Sequence, residues 1–95
     1  MNIEIFFAPD CSRCHVARRR LQAVVEEFST NNATGIRWRA VDVIREIDHA
    51  VSLGVLSTPS IAIDGQLVFT GMPSEKRLRQ AIERHLASTS SEPRT

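Results

Sequence analysis

Two cysteines separated by two residues are the feature of this sequence whose chemistry follows most directly from residue type and spacing. Cys11 and Cys14 are the only two cysteines among 95 residues. A disulfide between them would close almost no chain, so it would remove little entropy from the unfolded state and would stabilise the fold poorly. The pair therefore indicates redox chemistry or metal ligation rather than a structural crosslink.

The pattern around the cysteines places them between a strand and a helix. Residues 3–8 are rich in isoleucine and phenylalanine and precede Pro9-Asp10, which predicts a buried strand followed by the entry to a helix. From Cys11 to about Ser29, apolar residues recur at spacings of three and four and predict that helix, and the polar residues 31–35 predict the turn that ends it. Unpaired N–H groups at the start of the helix favour an anion, so we expect the pKa of the Cys11 thiol to be lowered.

Charged neighbours act on Cys11 in opposite directions. Arg13 and His15 add positive charge near a Cys11 thiolate, whereas the charge of Asp10 opposes it. Cys14 lies one turn further along, on the inward face of the helix, so we expect it to be more buried and nearer its neutral form. Because the thiolate is the nucleophile, Cys11 is predicted to attack a substrate disulfide, and Cys14 to resolve the mixed disulfide by displacing the reduced product.

The apolar pattern of the whole chain predicts an α/β protein with the element order β-α-β-α-β-β-α. Residues 36–43 alternate as a second strand, parallel to the first through a right-handed crossover. Two apolar runs at residues 61–63 and 67–69 flank Asp64-Gly65, a strong signal for a hairpin with a type I′ turn. The last helix is expected to begin near Ser74, a favourable N-cap residue.

A short second helix is predicted before the hairpin. Ile44, Ile47 and Val51 have the spacing of one helical face, with Leu53 nearby, and we expect this face to be the buried one. Gly54 is the expected end of the helix, because glycine adopts the left-handed conformation that often follows a helix.

Composition and charge limit the classes of function. With 42% hydrophobic residues, 24% charged residues and a net charge of +1, the chain has an ordinary globular composition that does not favour nucleic acid as a partner. On a helix, the side chains of Arg18, Arg19 and Arg20 would point in three different directions. We therefore expect them to be solvated rather than to form a basic patch. No apolar run reaches the roughly 18 residues of a membrane span. We expect a cytoplasmic protein with one domain at residues 1–87 and a polar, disordered tail at residues 88–95.

The span from Asn2 to about Leu86 resembles the thioredoxin superfamily, at the size of a glutaredoxin. The resemblance is carried by residues 7–14, by residues 54–60, by the Asp64-Gly65 hairpin and by Gly71. It implies the thioredoxin fold, with a four-stranded mixed sheet flanked by three helices.

The same resemblance implies roles for the segment Ser57, Thr58 and Pro59. Thr58-Pro59 corresponds to a cis-proline loop that lies against the cysteine pair and presents backbone groups to an extended substrate. The sequence also departs from the thioredoxin pattern, because Ile5 stands where thioredoxins bury an acidic residue.

These observations lead to one functional hypothesis. The chain is predicted to be a thioredoxin-like or glutaredoxin-like disulfide reductase whose Cys11–Cys14 pair exchanges with disulfides of proteins or small molecules. Its electrons would come from a reductase or from glutathione. We expect no metal or organic cofactor, no membrane or nucleic-acid partner, and a monomer.

Three alternatives remain open at this point. The first is a binding or regulatory module with the thioredoxin fold. The second is a c-type haem carrier, because Cys11, Cys14 and His15 match the C-x-x-C-H pattern and Met72 could be the second axial ligand. The third is a metal cluster bridging two chains, since two cysteines with the scattered His49 and His85 do not supply about four ligands within one chain.

Overall fold

The computed structural model describes residues 1–30 and 35–90, the side chains of residues 29–30 and 88–90 excepted. Its helices and strands follow the predicted order. They are β1 (Asn2–Phe7), α1 (Ser12–Thr30), β2 (Arg37–Asp42), α2 (Ile47–Leu53), β3 (Ser60–Ile63), β4 (Gln66–Phe69) and α3 (Glu75–Ser90). Of the turn predicted at residues 31–35, residues 31–34 lie outside the described residues.

Across the described residues, the strands form one mixed sheet in the order β2-β1-β3-β4. β1 pairs with β2 in parallel, from Asn2 with Arg37 to Phe7 with Asp42. β1 also pairs antiparallel with β3, and β3 pairs antiparallel with β4. The strand that leads to the cysteines is therefore held by backbone hydrogen bonds on both sides.

Alternate residues of β1 face opposite sides of the sheet and build two apolar clusters. Ile3 and Ile5 lie in the larger cluster, where they pack with residues of α1 and α3 that include Leu21 and Ile82. Phe6 faces the other side and lies in a smaller cluster with Val41, Ala50 and Ala62. The predicted fold, a four-stranded mixed sheet with three helices, is confirmed.

The hairpin between β3 and β4 has the predicted turn. Asp64 has φ 50° and Gly65 has φ 82°, so both residues of the two-residue loop have the positive φ of a type I′ turn. The Asp64 carboxylate also accepts a hydrogen bond of 2.8 Å from the backbone N–H of Asn2. This hydrogen bond holds the turn at the end of the sheet where β1 begins.

The face of α2 predicted to be buried is exposed, and that prediction is wrong. Ile44, Ile47 and Val51 are 64%, 52% and 65% exposed, and it is Ala50 that packs under the helix at 2% exposure. Part of the reason is the start of the helix, because the Asp42 carboxylate accepts backbone hydrogen bonds at residues 44 and 45 and holds them in a turn. Gly54 ends α2 in the left-handed conformation, as predicted.

The last helix begins where the sequence predicts. The Ser74 hydroxyl accepts a hydrogen bond of 3.1 Å from the backbone N–H of Arg77, which is an N-cap contact. α3 continues to Ser90, and the residues of the predicted tail beyond it lie outside the described residues. In the residues that the structure covers, none of the helices has the length and apolar character needed to cross a membrane.

Candidate active site

The two cysteines lie where β1 ends and α1 begins, and they are joined in a disulfide with 5.4 Å between their Cα atoms. The backbone N–H of Cys11 donates to the carbonyl oxygen of Ala8 at 3.1 Å, and the N–H of Cys14 donates to the carbonyl of Cys11 at 3.2 Å. α1 begins at Ser12, so Cys11 directly precedes the helix rather than lying in its first turn as predicted. It still lies beside the N–H groups that begin the helix.

Burial differs between the two cysteines. Cys14 is 3% exposed and lies one turn before Ala17, which is 2% exposed. Cys11 is only partly buried. The predicted difference in exposure is therefore present, because solvent reaches Cys11 while Cys14 belongs to the protein interior.

A shallow cavity of about 180 Å³ opens beside the disulfide. Its lining residues come from the end of β1, the loop after it and the first turns of α1, and they are Phe7, Ala8, Pro9, Cys11, Cys14, His15 and Arg18. The guanidinium of Arg18 lies over the ring of Phe7, 5.4 Å from its centroid. Both sulfur-bearing residues thus border a small concave surface that carries two nitrogen-rich side chains.

Arg18 was not predicted from the sequence to be a residue of this cavity. A signal was available, because Arg18 lies four residues after Cys14 on one helix, and residues at that spacing are neighbours on a helix face. The run of three arginines was instead predicted to be a solvated face. The structure separates them: Arg18 lies over Phe7, Arg20 donates a hydrogen bond of 2.8 Å to the carbonyl of Pro73, and Arg19 is exposed.

The two charged residues predicted to tune Cys11 lie outside this cavity. Asp10 and Arg13 are exposed, and neither forms a hydrogen bond or an ion pair with the residues that the structure describes. Their effect on Cys11 therefore has to act through space across solvent, where charges are strongly screened. It stays a prediction.

The segment Ser57, Thr58 and Pro59 connects α2 to β3. Its position follows from the register, because Ser60 pairs with Phe6 and the segment therefore lies at the end of the sheet where β1 runs toward the cysteines. Pro59 is buried, and the Thr58–Pro59 peptide bond is cis. The buried hydroxyl of Ser60 donates to the carbonyl oxygen of Ser57 at 2.6 Å, which fixes the start of the segment.

A larger cavity lies away from the cysteines. It measures about 620 Å³ and lies at the end of the sheet where β1 begins, with Glu4, Arg39 and Asp64 among its lining residues. These polar groups already bind each other or the backbone: Arg39 Nη2 contacts Glu4 at 2.8 Å, and Asp64 accepts the N–H of Asn2. The volume of a cavity therefore does not identify the reactive site, because no cysteine, serine or threonine is among the lining residues of this larger cavity.

The histidines weighed as metal ligands are engaged elsewhere. His49 Nε2 lies 2.9 Å from a carboxylate oxygen of Glu4, and His85 Nδ1 lies 2.9 Å from the carbonyl of Ala81. Within the described ranges, no three His, Cys, Asp or Glu residues form a group that could hold a metal ion. Of the two axial ligands that the haem alternative names, His15 borders the cavity beside the disulfide, whereas Met72 borders a different cavity.

A mixed sheet whose first strand leads to a two-cysteine disulfide at the start of a helix defines a class of redox proteins. The comparison with protein families then identifies the family. A family model described as "Thioredoxin domain" matches residues 1–83. The chain belongs to the thioredoxin domain family.

Relatives of similar length carry the same family name. A protein named "Thioredoxin" from Methanocaldococcus jannaschii is 30% identical over 86 residues, covering 90% of this chain and 96% of that protein. A "Probable Thioredoxin" from Methanothermobacter thermautotrophicus is 32% identical over 82 residues, covering 86% of this chain and 92% of that protein. Family and disulfide together support a thiol–disulfide oxidoreductase.

Solved structures agree on the fold. Thioredoxin 1 from Thermosipho africanus superposes with a TM-score of 0.74 at 23% identity, covering 96% of this chain and all (100%) of that one. Thioredoxin from Fasciola hepatica gives a TM-score of 0.67 at 27% identity, covering 88% of this chain and 79% of that one. The similarity extends over 96% and 88% of this chain, so the shared fold includes the strand and the helix that flank the cysteine pair.

Proposed function

We propose that this protein is a disulfide reductase in which Cys11 is the nucleophile and Cys14 the resolving cysteine. The observation that carries the proposal is the difference in exposure across one disulfide. Cys11 is partly exposed before α1, and Cys14 is 3% exposed within it. Only Cys11 is placed for the sulfur of another molecule to approach, whereas Cys14 needs to reach only Cys11.

The exchange proceeds in two displacements that balance in atoms and electrons. The Cys11 thiolate attacks one sulfur of the substrate disulfide, so a bond between Cys11 and that sulfur forms, the substrate bond breaks, and the other substrate sulfur leaves and takes a proton. Cys14 then gives up its proton and attacks Cys11 Sγ, which forms the Cys11–Cys14 disulfide and releases the second substrate thiol. Two electrons pass from the protein to the substrate, and a thiol or dithiol donor restores the reduced pair.

Three local features support the reactivity of Cys11. Its sulfur lies at the start of the 19-residue helix α1, where unpaired N–H groups and the helix dipole stabilise a thiolate. The first turn of α1 contains no acidic residue, and Asp10, which precedes Cys11, is exposed to solvent that screens its charge. The positive side chain of Arg18 borders the same cavity. Each feature favours the anionic form of the sulfur, which is the form that attacks.

The segment Ser57, Thr58 and Pro59 is proposed to bind the substrate chain next to the attacked disulfide. Its position at the same end of the sheet as the cysteines supports this role. Extended substrates bind through backbone hydrogen bonds, and Thr58 is partly exposed in this segment. The test is a comparison of backbone amide NMR shifts before and after a peptide is trapped on Cys11: Ser57 and Thr58 should shift, and Asp64 and Gly65 should not.

The physiological partners are proposed at the level of chemical class. They are a protein or small-molecule disulfide as electron acceptor and a reductase or glutathione as donor, with the protein acting as a monomer in the cytoplasm. The relatives named above are thioredoxins, and the glutaredoxin-like part of the hypothesis stays a prediction. Comparing rates with glutathione and with a dithiol donor distinguishes the two types of coupling.

A matched pair of serine variants tests the roles of the two cysteines. The Cys14→Ser protein in its reduced form is mixed with insulin whose disulfide bonds are intact, and adducts are identified by intact mass. Because Cys11 remains and Cys14 cannot displace it, a stable mixed disulfide is expected. Cys11→Ser is expected to form no adduct and to reduce no insulin disulfide.

Two outcomes would count against the assignment. Turnover of insulin by Cys14→Ser at the wild-type rate would show that Cys14 does not resolve the intermediate. Adduct formation by Cys11→Ser would show that the buried cysteine is the nucleophile. If the reduced wild-type protein reduced no insulin disulfide and Cys14→Ser formed no adduct, the binding-module alternative would take the place of the reductase.

A further inference from the structure

We propose that the cavity beside the disulfide is an anion-binding subsite, in which Arg18 selects disulfides that have a carboxylate next to the attacked sulfur. This inference rests on the proposed function, because it assigns a substrate preference to the same Cys11 nucleophile. The substrate class it names is a peptide disulfide with an acidic side chain beside its cysteine.

The first argument is the position of Arg18. Its side chain is half-buried and borders the same 180 Å³ cavity as both cysteines. The guanidinium lies over the Phe7 ring at 5.4 Å from the centroid. Attraction between the cation and the ring face helps to hold the guanidinium at the cavity, and its five N–H donors have the planar arrangement that binds a carboxylate.

The second argument is that the charge of Arg18 is uncompensated. In the part of the chain that the structure describes, Arg18 has no hydrogen bond or ion pair. Other arginines use their donors within the protein: Arg39 binds Glu4, Arg79 binds Glu27, and Arg20 binds a backbone carbonyl. A half-buried guanidinium that faces a cavity without an acidic partner leaves strong donors for a ligand.

The third argument is the local charge and the size of the cavity. Residues 10–20 contain four arginines and a single acidic residue, Asp10, whereas the whole chain has a net charge of only +1. Arg18 is the arginine of this segment that borders the cavity, and a positive charge at a small cleft raises the local concentration of anionic substrates. The volume of 180 Å³ equals that of about six water molecules, which suits a carboxylate group but excludes a folded chain segment.

The test uses two chromogenic disulfides that differ in charge. Dithiobis-nitrobenzoate carries a carboxylate on each ring, and 4,4′-dithiodipyridine is neutral. Each is reacted with protein carrying Cys14→Ser, so that Cys11 is the single thiol and one chromophore is released. The measured quantity is the ratio of the two second-order rate constants. Any change in the reactivity of the Cys11 thiolate itself affects both probes and cancels in this ratio.

Arg18→Gln is compared with Arg19→Gln in this background. Both remove one positive charge from the same helix, but Arg19 is exposed and does not border the cavity. Arg18→Gln is expected to lower the ratio about fivefold, the factor that one ion pair of about 1 kcal/mol supports. Arg19→Gln is expected to change it by less than about twofold, since a solvated charge is screened. Arg18→Lys keeps the charge and should retain most of the preference.

A second measurement carries the test to peptides. Two symmetrical peptide disulfides are compared, one with Glu next to each cysteine and one with Gln there. The Glu peptide should react faster with the wild-type Arg18 and lose its advantage in Arg18→Gln. If only the nitrobenzoate probe showed the effect, the cavity would recognise small carboxylates and the peptide proposal would be overturned.

The remaining outcomes separate this inference from the proposed function. An unchanged ratio in Arg18→Gln, or an equal fall in Arg19→Gln, would overturn the anion subsite while leaving Cys11 as nucleophile. No reaction of either probe in the parent Cys14→Ser protein would instead overturn the assignment of Cys11. The thermal unfolding midpoint of each variant confirms that the rates refer to folded protein.

Discussion

Reduction followed by alkylation should label the two cysteines at very different rates. The disulfide is reduced with a dithiol, the reductant is removed, and the folded protein is exposed to iodoacetamide for increasing times. Cys11 is reachable from solvent, whereas Cys14 is 3% exposed and Ala17, one turn later, is 2% exposed. We expect Cys11 to be alkylated first and Cys14 only through local opening of α1.

The ratio of the two alkylation rates follows from the buried surface that must be exposed before Cys14 can react. Opening the first turns of α1 brings the side chains of Cys14 and Ala17 into water, at a cost of about 2–3 kcal/mol by their apolar surface. Since 1.4 kcal/mol corresponds to a factor of ten, Cys14 should react about 30 to 140 times more slowly from burial alone. The stabilised thiolate proposed for Cys11 would increase this ratio further.

The assay is peptide mass spectrometry of samples quenched at successive times. Each cysteine is quantified separately after proteolysis, and the same measurement in denaturant supplies the control in which both thiols are accessible. Equal labelling rates in the folded protein would refute the reasoning, because they would mean that burial of Cys14 does not limit its reactivity. The denatured control should show rates that are equal within about threefold.

The remaining predictions concern the fold that holds the site. Leu21→Ala removes a side chain at 0% exposure and should lower the unfolding free energy by about 2–5 kcal/mol, whereas Leu56→Ala, at 96% exposure, should change it by less than about 0.5 kcal/mol. Chemical denaturation measures both, and a comparable loss in the two would contradict the packing. Glu27 accepts hydrogen bonds from Arg79 that lower its pKa, so this contact stabilises the fold above the unfolded-state pKa of about 4.3 and is lost as the pH falls through the lower folded-state value. Glu27→Gln should therefore be less stable than wild type at pH 7 and equal to it at the lowest pH, and a difference independent of pH would exclude the ion pair as its cause.

Much of the fold could be predicted because local signals agreed with tertiary packing. Residues 64–65 show this agreement: Asp-Gly tolerates positive φ at both positions, and the turn has it. Ser74 shows it too, since an N-cap depends only on its own hydroxyl and the next turn. Features decided within a few residues leave little for distant contacts to change.

The buried face of α2 could not be predicted, because two apolar faces compete in a helix of seven residues. Ile47 and Val51 form one face, and Ala50 and Leu53 form the other. Both pairs have helical spacing, so the sequence offers only side-chain size to choose between them, and two large apolar residues favour the first pair. The choice is made by the sheet, where Phe6 and Val41 already fill the space and the small Ala50 allows close approach.

The residues of the candidate site also differ in whether local sequence or distant contacts determine their place. Cys11 and Cys14 could be identified from their spacing and from their place between a strand and a helix. The segment at residues 57–59 depended on resemblance, because its place near the cysteines comes from the pairing of β3 with β1, and that pairing is not local. Arg18 was missed because its role depends on the side of the helix that Phe7 occupies.

The short span of the disulfide has a thermodynamic consequence. Cys11 and Cys14 are three positions apart, so oxidised and reduced forms of the unfolded chain have nearly the same freedom. Any difference in unfolding free energy between the two redox forms therefore arises in the folded protein. A thermodynamic cycle equates that difference with the gap in reduction potential between the folded protein and its unfolded chain, with about 30 mV for each 1.4 kcal/mol. Two denaturant titrations, one on each redox form, thus measure how strongly folding favours the disulfide over the dithiol.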